Sequence, residues 1–509
     1  MRNEKKIGVI ISYVNIVLNM IVSVFFTPYL ISSLGTSEYG VYKIVQSFAG
    51  QLMIMTFGIG GLVTRNIVYF DECKRKKEKE NFLAMAVAIS LILAVAGAII
   101  GCILYRFTDS IFSESLTESE LNLAKRLIIL LIINVAVTIF NDGISGIAPG
   151  HDKFAVYNGI KTVRLIVRIV TLVILLALGF KSTSIVLTDL CLTLGITLFN
   201  LVYGFIILGE RAHFYYFDKL LFKSSMSFSV AVLLQGIVNQ VNQNVDNIIL
   251  GIMTDSSTVA VYSVALTIYT TYSSITTVIS NMLLPSATRM IAKNSSSIEL
   301  TQFVSRNGRY QFIIAGAVIV GFILLGKEFL LLWLGNEYLP AYKIVLLLII
   351  PMTIPLIQGS CNAILDAQLR RLARSIILCS MVVVNIIASI FFIRIFGYIG
   401  AAYGTSLSVI LGHIVALNIY YKKCLKLNII KMFVDIFKGT LPAMLLSTII
   451  LYFIYRILTW EISWVAFIIK AIIFIIVYLT AMFFIGMNKS EKTMITNLIN
   501  KIIGKGRNQ

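Results

Sequence analysis

Long apolar stretches alternate with short polar connections along the whole chain. A helix needs about 20 residues to cross the roughly 30 Å hydrocarbon core of a bilayer. Stretches of that length fall near 7–31, 41–64, 82–105, 126–149, 161–180, 184–208, 227–251, 258–282, 310–333, 343–363, 374–395, 398–420, 439–459 and 464–486. Only helices and closed barrels satisfy the backbone in lipid, and the apolar runs are far longer than barrel strands. The pattern predicts an all-α integral membrane protein of fourteen spans. The opening MRNEKKIGVIISYVNIVLNM has the basic start and apolar run of a signal peptide, but Asn15, Asn19 and the lack of a small-residue cleavage site mark it as a retained first helix.

An internal repeat organises these spans. An offset of 220 residues lays Asn15 on Gln235, Asn19 on Asn239, Leu30 on Leu250 and Val41-Tyr42 on Val261-Tyr262 without a gap. A weaker echo pairs ISGIAPGHDK at the end of span four with CNAILDAQLR at the end of span ten. An even number of helices per repeat gives two halves of the same orientation. The expected architecture is two pseudo-symmetric six-helix lobes around a central cavity, 1–210 and 211–437, with two further spans in 438–486 and a basic tail at 487–509.

Charge then sets orientation. Of the 43 Lys and Arg residues, 33 lie on one alternating set of ends and loops and nine on the other. Because cations stay on the cytoplasmic side, both termini are expected there. The net charge of +19 is accounted for in this way and gives no reason to expect a nucleic-acid partner. With 58% hydrophobic and 13% charged residues, no stretch could form a separate water-soluble domain. The longest outer loop, FTDSIFSESLTESE, is too short to fold alone.

Polar groups inside spans are the candidate chemistry, because each costs free energy unless it faces protein or water. Gln235, Asn239, Asn242 and Asp246 are spaced 4, 3 and 4, which keeps them on one helix face. Asn15 and Asn19 repeat the stripe in span one, and Tyr262, Tyr269, Ser273 and Thr277 line span eight. Amides and tyrosines suit a sugar, offering neutral donors and acceptors with flat apolar faces; helix-to-helix glue is the plainer use of the same residues. Asp246 and Asp189 are the candidates for ion or proton coupling, with Lys43 the nearest salt-bridge partner for Asp246 by depth. Lys470 is expected to snorkel to the outer surface.

Enzyme chemistry finds no foothold. The sequence has no P-loop, HExxH or nucleophile-elbow setting, its three histidines are scattered, and its six cysteines form no CxxC, so neither a catalytic residue, a metal site nor a cofactor is expected.

Four blocks, FFTPYLISSLGTSEYGVYKI, VDNIILGIMTDSSTVAVYSVA, GKEFLLLWLGNEYLPAYKIVLLLI and FGYIGAAYGTSLS, resemble the oligosaccharide flippase family of O-antigen and capsular polysaccharide export, within the multidrug and oligosaccharidyl-lipid exporter superfamily. The resemblance implies alternating access and an undecaprenyl-diphosphate-linked oligosaccharide as substrate, whose lipid tail stays in the membrane. Polysaccharide polymerase and chain-length proteins would be its partners. Family members commonly carry cations deep in the cavity, whereas spans one and seven here carry amides and tyrosines, favouring sugar over phosphate. A diphosphate needs an arginine fork, and Arg65 and Arg168 lie deepest in apolar sequence. A drug or cation antiporter of the same superfamily and, less well, a membrane polysaccharide polymerase are the competing functions.

Overall fold

The computed structural model describes residues 2–56, 58–216, 233–234, 236–238, 240–241, 244–281, 283–368, 370–457, 460–493 and 496. These residues are helical between short turns, with no strand among them. Among the described residues, eleven helices are long and apolar enough to cross a membrane. The other three expected spans fall on α7 (Phe154–Ala177), α9 (Asn244–Met253) and α10 (Ser256–Asn281). α7 is 24 residues long and carries Lys161, Arg164 and Arg168, and α10 is 26 residues long and rich in Ser and Thr. Their length suits a crossing; their polarity is what sets them apart.

Contacts divide the chain into two compact units, one of Met1–Thr267 with Leu378–Gly404, the other of Ile268–Ile377 with Thr405–Gln509. The first unit begins with α1 (Arg2–Leu34) and α2 (Thr36–Leu52), joined at Gly35, whose φ of 81° ends one helix and turns the chain into the next. Span two was expected to be continuous over 41–64. Instead it breaks after Leu52, passes through a 3₁₀ turn at Met53–Thr56 and Gly58 at φ 64°, and resumes as α3 (Ile59–Glu72). The glycines of FGIGG supply the freedom for that break. α4 (Lys76–Phe112) and α5 (Glu118–Ser145) run antiparallel; a capping box of Thr117 and Glu120 starts α5. The short α6 (Ile147–Gly150), α7 and α8 (Ser182–Leu201) complete this series. Ile59, Leu62, Val63 and Ile67 of α3 pack on Phe82 and Leu83 of α4 and on Ile144 and Ile147. Gly146 meets the backbone of Gly60 so closely that a Cβ would not fit.

The second unit is built on α12 (Ser297–Leu334), again started by a capping box, Ser296 with Glu299. α13 (Ala341–Ile357) and α14 (Gly359–Ala367) follow, then α17 (Leu417–Cys424), α18 (Ile429–Phe437), α19 (Thr440–Ile457) and α20 (Trp464–Ala481). α11 (Leu284–Ala292) belongs here too, while α15 (Arg371–Phe396) and α16 (Ile399–Val409) pass through both units. α13 gives way to α14 at Gln358 and α5 to α6 at Gly146, each beside one of the two segments that the weaker sequence echo pairs. Val320 and Leu325 of α12 pack with Ala443, Leu451, Phe474 and Tyr478 of the last two spans. Lys470 does not snorkel: it is buried and pairs with Glu328 of α12 at 2.9 Å, because a carboxylate at the same depth is a better partner than a stretched path to water.

Candidate functional site

The amides of span one turn inward to neighbouring backbone. Asn15 donates to the Asn158 carbonyl at 3.1 Å and accepts from Thr162 Oγ1 at 2.8 Å, so it joins α1 to α7. Asn19 donates to the carbonyl of Asn15 at 2.7 Å and keeps an exposed side chain. Gln235, Asn239 and Asn242 lie outside the described residues. Arg65 is exposed on α3. Tyr269 is buried on α10.

Two charged centres emerge in the first unit. In the first, Arg168 of α7 forks around Asp189 of α8, Nε to Oδ1 at 2.5 Å and Nη2 to Oδ2 at 2.9 Å. Arg164, one turn along α7, donates to Thr193 Oγ1 at 3.1 Å, and Tyr42 of α2 lies beside Arg168. Lys43 donates to Gln46 at 3.2 Å and sits over the rings of Tyr39 and Tyr42, 5.4 and 5.8 Å from their centroids. It does not meet Asp246, and no carboxylate among the described residues pairs with it. At 1.5 Å per residue, Lys43 lies about 10 Å from the N-terminal end of α2, Arg168 about 13 Å from the C-terminal end of α7 and Asp189 about 10 Å from the N-terminal end of α8. Lys43, Arg168 and Asp189 therefore share one layer of the helices, with Arg164 about 6 Å further along α7, and Asp189 is the one carboxylate paired with these cations among the described residues. Cations at membrane depth each cost about 2.5–3.5 kcal/mol on insertion scales, and the Asp189 carboxylate offsets this for Arg168 alone by a direct ion pair.

The second centre surrounds Asp246. Its Oδ2 accepts from Tyr262 Oη at 2.6 Å, and Ser389 of α15 donates toward its Oδ1 at 3.4 Å. The same hydroxyl lies 3.4 Å from Asn385 Oδ1 and from the Ala401 carbonyl. Asn247 extends the polar seam, donating to Ser47 Oγ and accepting from Ser263 Oγ, each at 3.2 Å. All of Asp246, Tyr262, Asn385, Ser389, Asn247 and Ser263 are buried. Oxygen atoms converging around a buried carboxylate are a hard-cation or proton environment. The repeat gives the two centres a common element: Tyr42 and Tyr262, equivalent at 220 residues, stand beside Arg168 and on Asp246 respectively.

The N-terminal ends of α2 and α10 touch. A Cβ on Gly40 would fall on the backbone of Ser256, and Glu120 accepts from both Ser37 and Ser256. At the opposite end of the first unit, Lys79 bridges Asp71 at 2.7 Å and Glu210 at 2.6 Å, and His151 Nε2 is 2.7 Å from Glu210. Asp71, His151 and Glu210 have the donor set of a metal site, but the Lys79 ammonium already occupies the position a cation would take between the carboxylates. Burial pushes the Glu210 carboxyl up, yet the hydrogen bonds from His151 and Lys79 outweigh it and hold the group below its ordinary range.

Sequence reasoning found Asp246, Asp189 and Arg168 one at a time. It missed Asn247, Asn385 and Ser389, and it placed Lys43 with Asp246 rather than beside Arg168. The one available signal was the run of cations at spacing 3 and 4 in span five, Lys161, Arg164 and Arg168.

Residues 6–291 match the family described as polysaccharide biosynthesis protein. A search of curated proteins gave no match. Among solved structures, the chain is similar to the lipid II flippase MurJ in an inward closed conformation, at 19% identity over 93% of this chain and 97% of that one, with a TM-score of 0.72. It is also similar to a multidrug resistance MATE family transporter of the MOP superfamily, inward-facing at 16% identity over 81% of this chain and 95% of that one (TM-score 0.59), and outward-facing at 15% over 83% and 97% (TM-score 0.54). Such identities establish the fold, and the family match covers more than half the sequence: the chain belongs to the polysaccharide biosynthesis protein family and has the fold of MOP-superfamily transporters.

Proposed function

We propose that the protein is a flippase that carries an undecaprenyl-diphosphate-linked oligosaccharide across the bacterial inner membrane by alternating access. The observation that carries this reading is the half-buried cation excess of Lys43, Arg164 and Arg168 over Asp189. A diphosphate presents the same forked oxygens to Arg168 that Asp189 presents now. Arg164 and Lys161 extend the cations along α7 toward the end of the span read as cytoplasmic, forming a ladder for the diphosphate while the lipid tail stays in the bilayer. Fourteen spans, two six-helix lobes over 1–210 and 211–437, appended spans in 438–486 and cytoplasmic termini belong to the same proposal, as does delivery to a polymerase and its chain-length partner.

Asp246 is the coupling group in this reading. Its oxygen-lined surroundings suit a small cation or a proton, and Tyr262 would carry its occupancy into α10. A cationic-drug antiporter fits less well, because the Lys43–Arg168 layer repels a cation. Deletion of the gene in a strain without a paralogue is expected to remove a surface glycan and leave lipid-linked units on the cytoplasmic leaflet. Unchanged surface glycan would overturn the proposal.

A further inference from the structure

The second unit contains a cavity of about 730 Å³ where α12, the junction of α18 with α19 and the turn after α20 meet. Arg309 forms its rigid wall. The guanidinium donates to Glu491 at 2.8 and 3.1 Å and to the carbonyls of Asp435, Lys438 and Gly486 at 2.7, 2.8 and 2.7 Å. Arg309 thus closes the carbonyl ends of α18 and of the last span, and its charge is matched by Glu491. One turn earlier on α12, Ser305 also lines the cavity; it is 4% exposed and its hydroxyl has no hydrogen-bond partner. Buried hydroxyls are ordinarily satisfied, so a polar group is missing from this place. Arg306 and Lys438 border the cavity with exposed side chains, and no carboxylate among the described residues pairs with either. Asp435 is the one acidic residue of the lining besides them.

Apolar side chains are exposed next to the lining in sequence. Ile485 lines the cavity itself and is exposed, its neighbour Phe484 is 70% exposed, and Val434, beside the lining residue Asp435, and Ile430, one turn earlier on α18, are exposed too, Ile430 at 78%. α18 buries Met432 and Ile436 while presenting Ile430 and Val434 outward, which is how a helix lies along a membrane surface. A basic pocket edged by outward-facing apolar side chains fits an amphiphile: phosphate inside, acyl chains along the rim. Basic pockets between membrane helices on the positive side commonly take anionic headgroups. A free phosphate would use the cations and leave the rim unexplained.

We propose that this cavity binds the headgroup of an anionic phospholipid, its phosphate between Arg306 and Lys438 with Ser305 donating to it, and its glycerol hydroxyls donating to Asp435. The site is independent of the flippase reading.

The test is native mass spectrometry of the full-length protein, titrated with phosphatidylglycerol, phosphatidylcholine or glycerol 3-phosphate. Phosphatidylglycerol is expected to be retained about tenfold better than phosphatidylcholine. The Arg306→Gln/Lys438→Gln variant, with both changes at exposed positions, is expected to lose that preference, and Ser305→Leu, which fills the cavity with both cations in place, to lose it as well. Lys431→Gln, an exposed cation of α18 outside the cavity, should bind as wild type. Wild-type retention by the double variant would overturn the site. Equal loss in Lys431→Gln would reduce it to diffuse attraction, and displacement of the lipid by equimolar glycerol 3-phosphate would make it a site for soluble phosphate; either result overturns the proposal.

Discussion

Replacing Arg168 by Gln removes the fork that holds Asp189 at 2.5 and 2.9 Å and leaves the carboxylate without its partner at membrane depth. Breaking a buried pair costs about 3–5 kcal/mol; the two side chains are 24% and 18% exposed, which places this one near the lower figure, about 3 kcal/mol. Stability alone cannot distinguish a structural pair from a substrate site. The double variant Arg168→Gln/Asp189→Asn does, because it removes both charges together and leaves two amides that can hydrogen-bond. Thermal unfolding in detergent should then recover most of the loss seen in Arg168→Gln. Affinity for the lipid-linked diphosphate should not recover. Each charge-assisted hydrogen bond contributes roughly 1.5–3 kcal/mol, so losing the two bonds of the fork weakens binding by about a hundred- to ten-thousandfold, with Lys43 and Arg164 retaining the remainder. Arg168→Lys, which keeps the charge and loses the planar fork, should fall between the two. Binding of labelled lipid-linked substrate to each purified variant provides the readout. A double variant that binds and transports as wild type would show that Arg168 and Asp189 serve only each other.

Asp246→Asn keeps an acceptor for Tyr262, so the protein should unfold at the wild-type temperature while transport loses its dependence on an imposed ion or proton gradient; an unaltered gradient dependence would remove Asp246 from coupling. Glu328→Leu leaves Lys470 buried without its carboxylate and should destabilise by about 3–5 kcal/mol, and Glu328→Leu/Lys470→Met should restore stability in the same melting assay. Gly40→Val must separate α2 from the Ser256 backbone. A thiol placed by Ser47→Cys should then react faster with a membrane-impermeant maleimide, and an unchanged rate would mean that this contact does not close the outer end. The Glu210 carboxyl is held below its ordinary 4.5, so its contribution is present above that pH and is lost as pH falls through the lower folded value. Melting curves taken downward through pH 4.5 should therefore fall less steeply for Glu210→Gln than for wild type.

Hydropathy made the helices legible because lipid leaves the backbone so few choices. The breaks within them were less visible: FGIGG in span two could be read as an apolar stretch with tolerated glycines, and only the packing of Gly146 on Gly60 explains why the chain interrupts itself there. Single intramembrane charges announced themselves, since Asp246 and Arg168 stand out in apolar sequence. Their partners did not. Asp189 was read as a second coupling carboxylate, and its pairing with Arg168 depends on how α7 meets α8, 21 residues on. Asn15 had the residue type of a sugar ligand, yet Asn158 and Thr162 take up its amide. Lys470 was judged against water rather than against Glu328, 142 residues away. In each case the residue was visible and the competing neighbour was supplied by tertiary packing.

Translocation itself is the most direct measurement. Proteoliposomes containing the purified protein and a fluorescent undecaprenyl-diphosphate oligosaccharide in the inner leaflet would be exposed to an impermeant glycan-cleaving enzyme. With wild-type protein, cleavage should proceed beyond the fraction accessible in protein-free vesicles, and Arg168→Gln/Asp189→Asn should stay at that background. Background cleavage with wild-type protein, in vesicles where the same protein exports a cationic drug, would contradict the flippase account.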